Sequence, residues 1–288
     1  MRRLGALVLL LLAAAAPVAK KPAPAVPAAK PADIAEQLAM LNFDANPQWA
    51  VPPRLVFSRW AGPLRLFVFG RPEDRADAAE ALRALARPSG LSMRVVAEQE
   101  VARLPPNVFL VADANLPAAF RGPLREMLRN AFLDDDAAVD GFIAAVVETA
   151  PCWVLPVWTG ADRQVLKAAV IGADAGRKRA ETKACVLRAL GGGIGLLGPG
   201  AYLPASAFAP QGAAKLSRDD ERMLRVMYGK AVQPGMAREA MVAEAVRALG
   251  PAPGKAVGKA VGKAAGKAAG KPPAKKGAKP PAKAAPAP

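Results

Sequence analysis

The sequence predicts a mixed α/β or α+β domain with a helical C-terminal half, and three observations predict it. Between residues 54 and 172, apolar runs of strand length are interleaved with an amphipathic helical stretch and turn residues. After Asp174 the composition turns helical. No linker divides residues 33–250, so they are expected to bury one core.

The elements follow in order. Met1-Arg2-Arg3 precedes an apolar run of 13 residues, Leu4 to Ala16. That is too short to span a bilayer as a stable helix. With small residues at Ala14 to Ala16 it has the shape of a secretory signal peptide, assigned to 1–19. Pro17 leaves the cut open, after Ala16 or after Ala19, and a buried N-terminal helix remains the alternative. No cysteine follows the run, so lipid attachment is not suggested. Residues 20–32 are a Pro/Ala/Lys linker. Asp33 to Leu41 reads as a short lead-in helix. Asn42 to Pro53 reads as irregular, with Phe43 and Trp49 docking on the domain.

Arg54 to Trp60 reads as a strand and Ala61-Gly62-Pro63 as a turn. Leu64 to Phe69 is a second strand, alternating Leu64, Leu66 and Val68 against Arg65, Phe67 and Phe69. Glu73 to Arg87 is an amphipathic helix with Ala78, Ala81, Leu82 and Leu85 on one stripe, stopped by Pro88-Ser89-Gly90. Short strands are expected at Leu91 to Val96 and Asn107 to Val111. Two helices follow, Pro117 to Ala131 and Asp136 to Glu148, with Asp134-Asp135-Asp136 between them. The aspartates lack calcium-loop spacing and serve better as a helix cap. Cys152 to Trp158 and Val165 to Gly172 form a hairpin around Thr159-Gly160-Ala161-Asp162. The last helices are Arg177 to Gly191, Leu216 to Tyr228 and Met236 to Leu249.

Charge is unevenly placed. The formal total is +16, but residues 31–250 carry 26 basic and 24 acidic side chains. The excess lies at the ends. Residues 251–288 hold nine lysines and no acid, in a Gly-Lys-Ala repeat with glycine every fourth position. Glycine spacing, lysine repulsion and proline all oppose helix there, so 251–288 reads as a disordered cationic tail. Lys255, Lys259, Lys263, Lys267 and Lys271 are its binding residues, suited to salt-sensitive, nonspecific attraction to an anionic envelope component or an acidic protein. Nucleic acid would be held nonspecifically, because no aromatic stands in the tail to stack on bases.

The chain has no histidine. That removes the commonest zinc ligand and the usual base of a serine or cysteine triad. Its two cysteines, Cys152 and Cys185, would meet an oxidising compartment on export. They form one disulfide, or remain two unrelated buried thiols. Ser206 and Ser217 have no histidine to activate them, and neither has Ser-x-x-Lys spacing toward Lys215 or Lys183. Ser217 stands three residues before Asp220 and reads as an N-cap.

The glycine-rich stretch Gly192-Gly193-Ile194-Gly195-Leu196-Leu197-Gly198-Pro199-Gly200 follows a helix instead of opening one. It lacks Gly-Lys-Ser/Thr, so it reads as a helix stop with close backbone packing, not a phosphate loop. Arg177, Lys178 and Arg179 oppose the helix dipole at their end of the helix. They are a possible anion contact, or a solvated cluster.

Several separated pieces carry a resemblance. They are Arg59-Trp60, Pro63-Leu64-Arg65, the run from Cys185 to Pro199, Leu216 to Asp220, Met223 to Gly229, and Pro234-Gly235-Met236. In this order they resemble a bacterial family of exported proteins known as domain of unknown function 2927, over roughly residues 40–240. That family resembles distant zincin-like metallopeptidases, which implies a single zincin-like domain here. A typical member carries a paired acid, a glutamine and an Asn-Asp near the glycine turn. In register, the acids fall on Arg188 and Ala189, the glutamine on Gly192, and the Asn-Asp on Gly198 and Pro199, while Gly195 and Leu196 keep the turn. The resemblance therefore implies a degenerate member with no catalytic residue, no metal ligand and no cofactor.

The expected function is an exported, noncatalytic binding or scaffold domain, periplasmic or secreted, with no stable transmembrane segment in the mature chain. One alternative is a hydrolase using carboxylates among Asp174, Glu181, Asp219 and Asp220 without a classical zinc site. Another is a structural envelope protein that oligomerises through its last helix.

Overall fold

The computed structural model describes residues 28–132, 135–159, 164–200, 202–203 and 205–250. The expected signal peptide 1–19, the first part of the expected linker, Asp134, the expected hairpin loop at Gly160 to Asp162, and the expected tail 251–288 with its lysines lie outside the described residues.

Six strands make one sheet: β1 (Arg59–Trp60), β2 (Leu64–Phe69), β3 (Met93–Val95), β4 (Val108–Asp113), β5 (Cys152–Thr159) and β6 (Val165–Asp174). β3, β2, β4 and β6 run parallel in that spatial order. β5 pairs antiparallel with β6 along its length, from Cys152↔Ala173 to Thr159↔Val165. β1 meets only the start of β6, at Val165 and Leu166. Pro156 is tolerated in β5 because a proline, which has no N–H to give a ladder, fits an edge strand. The register also explains Gly172. It pairs with Trp153, and a Cβ there would stand 2.3 Å from the indole Cε2. The ring lies over the glycine and meets Phe120 and Phe142 edge-on.

Pairing fixes which side chains share a face. Leu66, Val108 and Ala169 fall on one side, as do Val68, Leu110 and Ile171; all six are buried. Two helices cover this side, α2 (Pro72–Ser89) and α6 (Arg179–Gly193). Gly193 brings the α6 backbone down on Ile171 and Ala169. α2 begins with Pro72, whose fixed φ suits a first turn. Asp74 accepts the Arg71 N–H at 2.9 Å, and Gly90 closes the helix at φ 70°. At the other face lie α3 (Leu116–Arg121), α4 (Arg125–Ala131) and α5 (Asp136–Phe142), the last capped by Asp135, whose carboxylate accepts the Ala138 N–H at 3.0 Å. α1 (Pro31–Phe43), α7 (Arg218–Met227) and α8 (Arg238–Leu249) pack together beside the sheet.

Four expected elements change. The strand from Arg54 shrinks to Arg59–Trp60 because Phe57 bonds outside the sheet, donating to the Met236 carbonyl and accepting from Gly235 N–H. The helix Pro117 to Ala131 splits in two, since Gly122 leaves the helical region and Pro123 cannot rejoin the ladder. The next helix ends at Phe142 and widens into a turn of π type, Ile143–Val147. The lead-in helix is longer than expected and belongs to the core, with Ile34, Leu38 and Leu41 buried. Cys152 and Cys185 form a disulfide with Cα atoms 5.7 Å apart, tying edge strand β5 to α6. No helix among the described residues is long and apolar enough to cross a membrane.

Candidate functional site

β6 leads directly into α6, and one stripe of α6 stays uncovered. Arg177 just before the helix, then Ala180, Glu181, Ala184, Cys185 and Arg188, recur at helical spacing along the floor of a cleft of about 620 Å³. The facing wall is the loop Ala209 to Ala214, and Pro151 and Cys152 close one end. The stripe is small at Ala180 and Ala184, which leaves the space open.

The charged groups of the cleft are unequal. Arg177 lies 3.4 Å from Asp174 and 3.6 Å from Glu181, so it is compensated. Arg188 is only 8% exposed. Its Nη2 donates to the Pro199 carbonyl at 3.3 Å, and its guanidinium lies 5.0 Å over the Trp49 ring. No carboxylate pairs with it among the described residues. Burial holds its pKa below the ordinary arginine value. Trp49 is itself fixed, its Nε1–H donating to the Cys152 carbonyl at 2.8 Å.

The turn after α6 is held from the other side by the polar side chains of Asn42, Asn46 and Arg54. Asn42 Nδ2 donates to the carbonyls of Ser58 and Gly195, at 2.6 and 3.1 Å. Asn46 Nδ2 donates to Leu197 and Gly198, at 3.0 and 2.9 Å. Arg54 reaches Ser58 Oγ at 2.8 Å and stacks on Trp158; desolvation lowers its pKa to about 9. Tyr228 is half-buried, donates to the Ile194 carbonyl at 2.7 Å, and has its pKa pushed up by desolvation. No periodicity or motif in the sequence marks Asn42 and Asn46, which stand in a stretch read as irregular, or Arg54, which opens the expected first strand.

Of the six positions singled out on α6 and its turn, only Arg188 and the Pro199 carbonyl reach the cleft region. Ala189 is fully buried in the core. A Cβ at Gly192 would meet Trp49 and Val154, and one at Gly198 would meet the backbone of Met40 and Leu41. Gly195 has φ 123° and lies against Met227 and the Ser58 carbonyl. Arg177 and Arg179 do not act together, because Arg179 turns to Asp77 on α2, with Nη2 to Oδ1 at 2.9 Å. Lys178 is exposed at the helix start.

The carboxylates divide as well. Asp174 and Glu181 both lie on Arg177. Asp219 accepts the Ala29 N–H and pairs with Arg222. Asp220 is buried and accepts from Ser206 Oγ at 2.5 Å and from the Ala207 and Ser217 N–H groups, each at 2.9 Å. Ser217 caps α7, accepting the Asp220 N–H at 3.1 Å. Ser206 is thereby committed to the cap network, and Lys183 pairs with Glu80 at 2.7 Å. No cluster of three or more His, Cys, Asp or Glu side chains among the described residues has metal-holding geometry.

A zinc site needs about three protein donors and an open position. The residues along α6 do not fit one: the Cys185 sulfur is bonded to Cys152, Arg188 brings a cation, and Ala189 and Gly192 bring no donor. A family model described as "Protein of unknown function (DUF2927)" matches residues 32–248. No curated protein and no solved structure matches the chain.

Proposed function

The chain belongs to the DUF2927 family, and from that premise we propose that it is an exported, noncatalytic binding or scaffold domain of the periplasm or extracellular space. In this reading the domain is zincin-like, with its catalytic groups replaced at Arg188, Ala189, Gly192, Gly198 and Pro199. The lysine-rich segment from Lys255 attaches it to anionic envelope material or an acidic protein, through attraction that salt weakens.

The observation that carries the reading is Arg188. At the position where the resemblance leads one to expect an acid, this chain has a buried cation on the floor of the α6 cleft, backed by Trp49. A fixed guanidinium there repels a metal ion and cannot serve as a general base. Supporting it, Gly192 and Gly198 lie against Trp49, Val154 and the Leu41 backbone, so the turn retains its packing role without polar side chains.

The test uses the purified mature chain. Elemental analysis is expected to find no stoichiometric zinc, and a mixed peptide library no chelator-sensitive cleavage. Stoichiometric zinc together with cleavage abolished by a chelator would overturn the noncatalytic reading. Vesicles containing phosphatidylglycerol should retain the full mature chain at low salt and release it at high salt. Equal retention after deleting 251–288 would remove the tail as the attachment element.

A further inference from the structure

We propose that the α6 cleft binds a ligand carrying one carboxylate, which docks on the guanidinium of Arg188. The inference rests on reading this cleft as a binding site without catalysis, and it names the ligand chemistry that reading leaves open.

The cleft's size, about 620 Å³, falls within the range of small-molecule sites. Its charge decides the ligand. The titratable groups lining it are Arg177, Glu181 and Arg188. Arg177 is already matched by Asp174 and Glu181. Among the described residues, Arg188 is matched only by a carbonyl and an aromatic face. A guanidinium has five N–H donors, and one of those on Arg188 has an acceptor among the described residues. A buried charge in this condition gains most from a partner that is itself charged and planar, and a carboxylate meets the guanidinium fork with two parallel bonds.

The lining charges Arg177, Glu181 and Arg188 sum to one positive charge and Asp174 beside Arg177 cancels it, so the unmatched charge is local to Arg188. A monoanion neutralises it. A phosphate dianion would bring a second negative charge with no remaining cation to meet it, next to Glu181. The apolar part of the ligand would lie along Ala180 and Ala184 and against Pro210, where small side chains leave room. The receptor is fixed beforehand: Trp49 supports the guanidinium, and the Trp49 indole is tied to the Cys152 carbonyl at 2.8 Å. Little side-chain entropy is then lost on binding.

The experiment follows the Trp49 indole N–H resonance in the ¹⁵N-labelled mature chain, assigned with Trp49→Phe. The probes are hexanoate, its neutral counterpart hexanamide, inorganic phosphate, and N-acetyl-Ala-Ala with a free carboxyl end. Hexanoate or the dipeptide should shift the resonance saturably. The one that saturates at lower concentration tells an aliphatic acid from a peptide C-terminus. Hexanamide should give no saturable shift, and phosphate at least about ten-fold weaker binding. Arg188→Met should weaken carboxylate binding by at least about ten-fold. Ala184→Phe, which fills the floor without touching the charge, should remove the response and decides the matter if Arg188→Met does not fold.

No saturable carboxylate response, an equal response to hexanamide, tighter binding of phosphate, or a response that survives Ala184→Phe would each overturn the proposal. The readout is independent of turnover. Carboxylate binding in a chain that also shows chelator-sensitive cleavage would sink only the noncatalytic reading. Absence of binding in an inactive, zinc-free chain would sink only this proposal.

Discussion

The indole of Trp49 fills the place where a side chain at Gly192 would stand. A Cβ built on Gly192 lies 2.7 Å from Trp49 Cζ3 and 2.7 Å from Val154 Cγ1. Two opposing effects meet here. In an open helix, alanine is better than glycine by about 1 kcal/mol. In a filled core, an added carbon that forces neighbours to move costs about 1–3 kcal/mol. At these distances the second effect wins.

Gly192→Ala is therefore expected to destabilise the domain by up to about 2 kcal/mol, the overpacking cost less the helix gain. Urea unfolding checks the sign. Combining it with Trp49→Ala should recover part of the loss as a coupling energy, because the two substitutions share one space. A stabilising Gly192→Ala would mean that Trp49 swings away freely.

The Cys152–Cys185 bridge joins residues 33 positions apart. Loop-closure entropy for that separation corresponds to about 3–4 kcal/mol. Replacing both cysteines with serine should lower unfolding stability by that order and loosen β5 from α6. Hydrogen exchange of β5 amides measures the second effect. Unchanged exchange there would show that Trp49 and the β6 ladder hold the edge strand without the bridge.

Asp220 is 1% exposed and accepts three hydrogen bonds, one from a hydroxyl and two from backbone N–H groups. Asp220→Ala strands those donors, for an expected loss of about 3 kcal/mol or more. Ser217→Ala removes one cap bond and should cost about 1 kcal/mol. Chemical denaturation of both variants gives the comparison, and equal losses would contradict the network.

Asp77 on α2 is paired with Arg179, and more distantly with Lys183, on α6. The Arg179 hydrogen bond, the largest cause, holds its carboxyl below the ordinary value of 3.8. A depressed folded pKa contributes stability that is fully present above the unfolded value. That stability is lost as pH falls through the folded one. The thermal midpoint of the parent chain should thus exceed that of Asp77→Asn at neutral pH, and the gap should close in acid below the ordinary aspartate range. A gap that is constant with pH would rule out the ion pair as its origin.

Much of the fold is legible in the chain. Alternation in Leu64 to Phe69 gives a half-buried strand, and the stripe through Ala78, Ala81, Leu82 and Leu85 gives α2, because side-chain period alone sets these faces. Ser217 is readable as a cap because its partner stands three residues away. The site is less legible. Trp49 is recognisable as a docking side chain, yet its two partners lie more than a hundred residues ahead, at Cys152 and Arg188. Asn42, Asn46 and Arg54 carry no periodicity, since their role is to satisfy carbonyls of the distant Gly195 to Gly198 turn.

The sequence by itself determined the mixed α/β class, the absence of histidine, the basic C-terminal segment, and the run of glycines that follows Arg188. Tertiary structure alone decided that Cys152 meets Cys185, that Arg179 is spent on Asp77, and that Arg188 stands in a cleft with no carboxylate paired to it among the described residues. The reason is range. Local pattern is set by steric and hydrogen-bonding preferences within a few residues, whereas the charge balance of a cleft depends on which distant groups the sheet and helices bring within bonding distance.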